Sequence, residues 1–430
     1  MDRLSAAFLF VAGVATGATP PPRPYDVEHY EVKIAPDIAA QRLTGEVTIR
    51  FHTLVDGLDS LELDAGSLRV TSVVEDYLNQ PFERQGPLLA IRLEKRARLG
   101  EQRKLTIRYE AQPANGLAFF DNQVYTAFFT SHWMVANDRP EDRATLHLTI
   151  SAPRNRKVAA SGRWIGTHRD GQREVSEWRQ DAEAPPFNFG FAIGDFEERT
   201  EQSGSVKLRY LGPRGARDVA KTMEGTKQAL RFLEEKTGHA YPEKTYTQVL
   251  ANGNPMQEMA QLTLLPAAYG ETLAAHPEDL WLLAHELAHQ WYGIGIACRD
   301  WSDFWLNEGF ATFLADAFLE QQFGRERYQR EIDKSRQAYE KLKAEGRDRP
   351  LSFHDWTTAD QASGGIPYQK GAWVLHLLRQ QMGEEAFWRG LRVYTKDHWG
   401  GQVTSVDFQK SLEAATAASL KDFFDTWVYR

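Results

Sequence analysis

Residues 282–293 read LLAHELAHQWYG, and what this stretch is decides the fold. Two histidines stand four apart, with a glutamate directly after the first. Positions four apart share one face of an α-helix. The flanks favour a helix. Pro277 suits a first helical position, and Glu278 and Asp279 follow where the helix dipole favours negative charge. Leucine and alanine dominate until Gly293, a natural stop. On such a helix His285 and His289 offer imidazole nitrogens to one ion. Glu286 sits one position round, where it can take a proton from a metal-held water without being a ligand. The competing reading is an amphipathic helix that happens to carry two histidines. The pattern alone does not exclude it, so a third ligand is needed.

Catalytic zinc keeps three protein ligands and one open position. The segment WSDFWLNEGFATFLADAF, starting at Trp301 with Ser302 as the expected N-cap, predicts a second helix. Its Glu308 lies nineteen positions after His289, room to end one helix and lay another beside it. Two histidines and one glutamate form the ligand set of thermolysin-like zinc hydrolases. One zinc ion per chain is expected on His285, His289 and Glu308, with Asp303 as the fallback third ligand.

In HELAHQW and NEGFAT, with eighteen residues between His289 and Glu308, the chain resembles the aminopeptidase N-type gluzincins, the family that also includes leukotriene hydrolase. The resemblance extends over nearly the whole chain. YDVEHYEVKIAPD, LTGEVTIRF and LELDAGSLRV look like that family's N-terminal β domain. So does WMVANDRPEDRATLHLTISAP, with its Asp-x-Pro followed by Arg-Ala-Thr, and FNFGFAIGDFE resembles the end of that domain. The resemblance implies a zinc-dependent aminopeptidase that cuts the N-terminal peptide bond through a zinc-activated water, with Glu286 as general base.

It also implies two further site residues. NGNPMQEMAQLTLLP is similar to the family's edge strand beside the substrate. Glu258 takes the place of the glutamate that binds the peptide's free amino end, although Pro255, Gln257 and Met259 stand where glycine, methionine and asparagine are usual. YQKG matches the context of a tyrosine that donates a hydrogen bond to the oxyanion, which falls on Tyr368; Lys370 reads as structural. Gln123 stands near the place of a subsite glutamine but is not assigned. SVDFQKSLEAATAASLKDFFDTWVYR looks like the last helices of the catalytic domain. The resemblance is therefore to a short two-domain form lacking the C-terminal helical domain. A thermolysin-like endopeptidase, which needs no amine-binding glutamate, is the alternative within enzymes. A non-catalytic scaffold of the same fold is the alternative outside them.

Composition bounds the rest. The 430 residues, 42% hydrophobic, suffice for two globular cores. The net charge of −8 is spread out, and no basic block suggests nucleic acid. Cys298 is the single cysteine, so no internal disulfide is possible. Arg3 precedes an uncharged run from Leu4 to Ala18, short for a bilayer span and ending in small residues. A signal peptide over 1–18 and export to the periplasm or medium are expected, with a cytoplasmic protein if that segment is no signal. No membrane span is expected in the mature chain.

From 19 to 200 the pattern is strand-like. Tyr30, Val32 and Ile34 alternate, as do Val47, Ile49 and Phe51, Leu105, Ile107 and Tyr109, and Leu146, Leu148 and Ile150. This predicts an antiparallel β domain of sandwich or saddle type. From 201 to 430 a mostly α-helical, thermolysin-like catalytic domain is expected, with strands at SVKLRYL and KTYTQVLA. The whole is a multidomain α+β protein that acts on peptides with a free N-terminus.

Overall fold

The computed structural model describes residues 23–215, 219–356 and 358–430. The expected signal segment, 1–18, lies outside them. All four alternating sets named above are buried. The period of two puts each set on one sheet face, and burying that face drives the sheet to pack.

The largest sheet has eight strands, in the order Arg163–Asp170, Arg173–Ala184, Ala144–Pro153, Tyr25–Asp37, Arg42–Thr53, Gln102–Ala111, Arg69–Glu75 and Leu78–Asn79. A three-stranded sheet, Leu58–Asp64, Leu88–Ala97 and Phe82–Gln85, accompanies it. Tyr30, Val47 and Ile49 of the first share one apolar core with Leu61, Leu63 and Leu89 of the second. This is the sandwich that the alternation predicts. One pairing departs from an all-antiparallel reading: His29–Ile34 run parallel to Thr145–Ile150. A long excursion through other sheets separates the two strands, so no hairpin dictates their direction.

A four-stranded sheet, Lys157–Ala160, Phe191–Gly194, Gln123–Thr126 and Leu117–Phe120, carries the chain towards the second half. There a five-stranded sheet runs Phe196–Ser203, Val206–Pro213, Thr245–Ala251, Leu262–Pro266 and Gln257–Met259. The change from one sheet to the next thus falls between Gly194 and Phe196, a few residues before position 200. Gln257–Met259 is the edge strand, antiparallel to Leu262–Pro266.

The helices follow. Trp281–Ala288 lies against Trp305–Phe323, and both bury their apolar residues in one core with Gly371–Met382 and Glu384–His398. Two helix starts differ from expectation. The histidine helix begins at Trp281 and not at Pro277. The Tyr269 hydroxyl accepts from the Leu283 N–H (3.2 Å) and donates to the Asp279 carbonyl (2.8 Å). A tertiary contact thus satisfies a terminal amide that a local cap would otherwise take. Ser302 is not the N-cap of the second helix. Asp300 caps a short 3₁₀ turn by accepting from the Ser302 N–H at 2.9 Å, and the α-helix starts at Trp305. Among the described residues, no helix is long and apolar enough to cross a membrane.

Candidate active site

The histidine helix ends at Ala288, and His289 keeps helical angles (φ −61°, ψ −20°) as its C-cap residue. The spacing of four therefore still stacks the two imidazoles on one face. Their Nε2 atoms stand 3.2 Å apart. Glu308, in the first turn of the next helix, brings Oε2 to 3.4 Å from each of them. A tetrahedron with arms of about 2.0–2.1 Å has edges of roughly 3.3–3.4 Å, so this triangle fits one zinc ion with a fourth direction free. Glu308 Oε2 is buried with no hydrogen-bond donor.

Supporting contacts set the ring orientations. His289 Nδ1 lies 3.0 Å from the Tyr292 carbonyl, which can only accept. Nδ1 therefore carries a proton, and Nε2 is the nitrogen that faces the triangle. His285 Nδ1 faces Thr312 Oγ1 at 3.4 Å, and its ring stacks on Trp281, centroids 4.9 Å apart. Asp303 is held elsewhere, accepting from Ser405 Oγ at 2.5 Å, and does not join the triangle.

Two more carboxylates reach the same cavity. Glu258, Glu286 and His289 place one ligand atom each within 4.8 Å of one another. Glu286 Oε2 and Glu258 Oε1 are buried without a donor. Glu258 Oε2 accepts from Gln257 Nε2 at 2.9 Å, so the residue found where methionine is usual braces the carboxylate. Three buried carboxylates in one cavity are costly unless positive charge joins them. Burial, reinforced by Glu308, pushes Glu258 up to about 7. Burial, reinforced by Glu258 and Glu308, puts Glu286 well above its ordinary range. Burial opposes ionisation of Glu308 too, but the two histidines hold it down at about 2. Burial disfavours a charged His289, yet the facing carboxylates raise it to about 10. The buried carboxylates call for a cation, and a metal ion held by these residues would displace that proton.

Tyr368 enters from a third element, the π-helical turn Ile366–Lys370. Its ring lies 6.1 Å from that of His285, 14° from parallel, and its hydroxyl faces Glu308. Burial and the three surrounding carboxylates raise its pKa well above that of a free phenol, so it stays protonated and can donate.

Sequence reasoning missed two devices. Gln290 ties the edge strand to the histidine helix: Oε1 accepts from the Gln261 N–H at 3.0 Å, and Nε2 donates to the Met259 carbonyl at 2.9 Å. That tie sets Glu258 beside His289. The second device is a glycine pair. A Cβ on Gly371 would stand 2.8 Å from the Gly309 Cα, so only glycines let the Tyr368 turn lie against the Glu308 helix. Both glycines stand in plain view in NEGFAT and YQKG, but a close approach is invisible until the partner is known. Gln123 accepts from the Asn252 N–H at 2.9 Å and so fastens the loop that follows strand Thr245–Ala251.

The Peptidase family M1 domain model matches residues 221–427, the segment that carries the whole triangle and Tyr368. Over this segment, a little under half of its length, the chain is similar to peptidase family M1. Among similar proteins, "Probable aminopeptidase 1" of Sulfurisphaera tokodaii is 24% identical over 94% of this chain and 53% of its own length. Aminopeptidase N of Streptomyces lividans is 27% identical over 68% of this chain and 36% of its own. The chain thus spans about half the length, or less, of these curated relatives. The crystal structure of an M1 zinc metallopeptidase variant from Deinococcus radiodurans, bound to a Tyr-Ser-Ala substrate, matches 95% of each chain at 25% identity and a TM-score of 0.80.

Proposed function

We propose that this chain is a zinc-dependent aminopeptidase that removes single residues from peptides with a free N-terminus. The observation that carries the reading is the donor triangle of His285, His289 and Glu308 with the Glu258 carboxylate beside it. His285, His289 and Glu308 would hold the zinc, which when bound supplies a Lewis acid that polarises the scissile carbonyl and acidifies water.

The remaining steps belong to side chains. Glu258 pairs through Oε1 with the substrate's terminal ammonium and so sets the cut one residue from the end. Glu286 takes the proton of the attacking water and passes it to the leaving amine. Tyr368 donates its hydroxyl proton in a hydrogen bond to the oxygen on which negative charge develops. The peptide bound to the D. radiodurans enzyme supports a peptide substrate, and Glu258 favours exopeptidase over endopeptidase action. Internal or blocked peptides would leave that buried carboxylate unpaired.

The test is zinc analysis joined to cleavage of one peptide in free and N-acetylated forms. About one zinc per chain and a ladder losing single N-terminal residues are expected, with the acetylated form nearly inert. Internal cuts appearing first would overturn the aminopeptidase reading.

A further inference from the structure

The turn that carries Tyr368 is tied down from outside the catalytic cavity. It is π-helical: the Gly371 N–H reaches back to the Ile366 carbonyl, five residues earlier. Wide turns of this kind pack less regularly than an α-helix and depend on their surroundings. Lys370 closes the turn and is only 2% exposed. Its Nζ donates to Asp348 Oδ1 at 3.0 Å and to the Arg349 carbonyl at 2.6 Å, and it lies 5.4 Å from the centre of the Tyr339 ring. The Tyr339 hydroxyl donates to the other Asp348 oxygen at 3.0 Å. Helix Arg325–Ala344, the loop behind it and the turn are thus joined at one part-buried ion pair. On its other side the turn rests on the Gly309–Gly371 contact, one residue from Glu308.

We propose that the Lys370–Asp348 pair is a positioning lock for Tyr368, holding the turn in the register that aims the phenol at the metal-ligand triangle. The lock rests on the reading of Tyr368 as oxyanion donor. Lys370 and Asp348 touch no reacting atom; they act through the turn.

A double-mutant cycle tests this in the zinc-loaded enzyme. Asp348→Asn is the milder variant, because Asp348 is part-exposed while Lys370 is deep. A displaced donor predicts a kcat lower by about tenfold, with KM and zinc content within about twofold of wild type. Amide hydrogen exchange across 366–371 is expected to quicken. In a Tyr368→Phe background, itself slower in kcat, the same substitution is expected to cost nothing further, because the group being positioned is gone. An unchanged kcat, unchanged exchange, or an equal loss in both backgrounds overturns the lock. If Tyr368→Phe alone keeps full kcat, the oxyanion reading fails first and takes the lock with it.

Discussion

The two sides of the cavity are built differently. The metal side is local: His285, Glu286 and His289 come from one stretch of backbone, and Glu308 from the helix that follows. The substrate side is assembled from afar, with Glu258 on a sheet edge and Tyr368 on a π turn. A local cluster keeps its geometry as long as its helix pair is intact. An assembled one depends on ties such as Gln290 and Lys370. The metal side should therefore fail all at once, and the substrate side by degrees.

The largest effect is expected from the ligands. His289→Ala or Glu308→Ala should lose zinc on dialysis together with activity, by about a thousandfold or more, since the metal contributes several kcal/mol to the transition state. Full zinc occupancy after Glu308→Ala would break the triangle and send the search for a third ligand elsewhere.

Next comes Glu286→Gln. Zinc content and melting temperature should hold while kcat falls by about 10²–10⁴, the usual share of a general base. Near-normal turnover in a zinc-replete variant would remove Glu286 from its role.

The same contrast decided what was legible. The helical spacing of His285 and His289 shows in the sequence because it is a property of one element. Glu308 shows because its helix is next in line. The alternating strands show because a period of two maps directly onto a buried face. Glu258 and Tyr368 came only with the family resemblance, since no local pattern marks a strand glutamate or a helix-entry tyrosine as lining a distant cavity. Gln290 and the glycine pair were out of reach. Their meaning lies wholly in what stands opposite them: two backbone groups of the edge strand, and another glycine. The start of the histidine helix was misplaced for a related reason, because Tyr269 replaced a local cap.

A smaller, graded effect is expected from loosening the substrate side. Gln290→Leu removes both ties to the edge strand and leaves the Gln261 N–H and the Met259 carbonyl without their partners. Stability should fall by about 1–3 kcal/mol. kcat/KM on free peptides should fall by about tenfold while zinc stays bound, because His289 keeps its own tether to Tyr292. The preference for free over acetylated peptides should narrow. Zinc loss in this variant would mean that the two sides are not separable.

The smallest effect concerns a carboxyl group outside the cavity. Asp138, in the NDRP stretch, accepts from the Ser131 N–H at 2.9 Å, while its other oxygen is buried without a partner. Burial, with Asp64 adding, raises it from 3.8 to about 7. Between those values the folded chain holds a proton that the unfolded chain has released. Stability from this group is therefore greatest below about pH 4, declines as pH rises towards 7, and is level beyond it. Asp138→Asn still offers the Ser131 amide an oxygen and no longer titrates. The difference in melting temperature between variant and wild type should then favour the variant increasingly from pH 4 to 7, read at saturating zinc so that metal release does not enter. A flat difference across that window would show that Asp138 ionises normally in the fold.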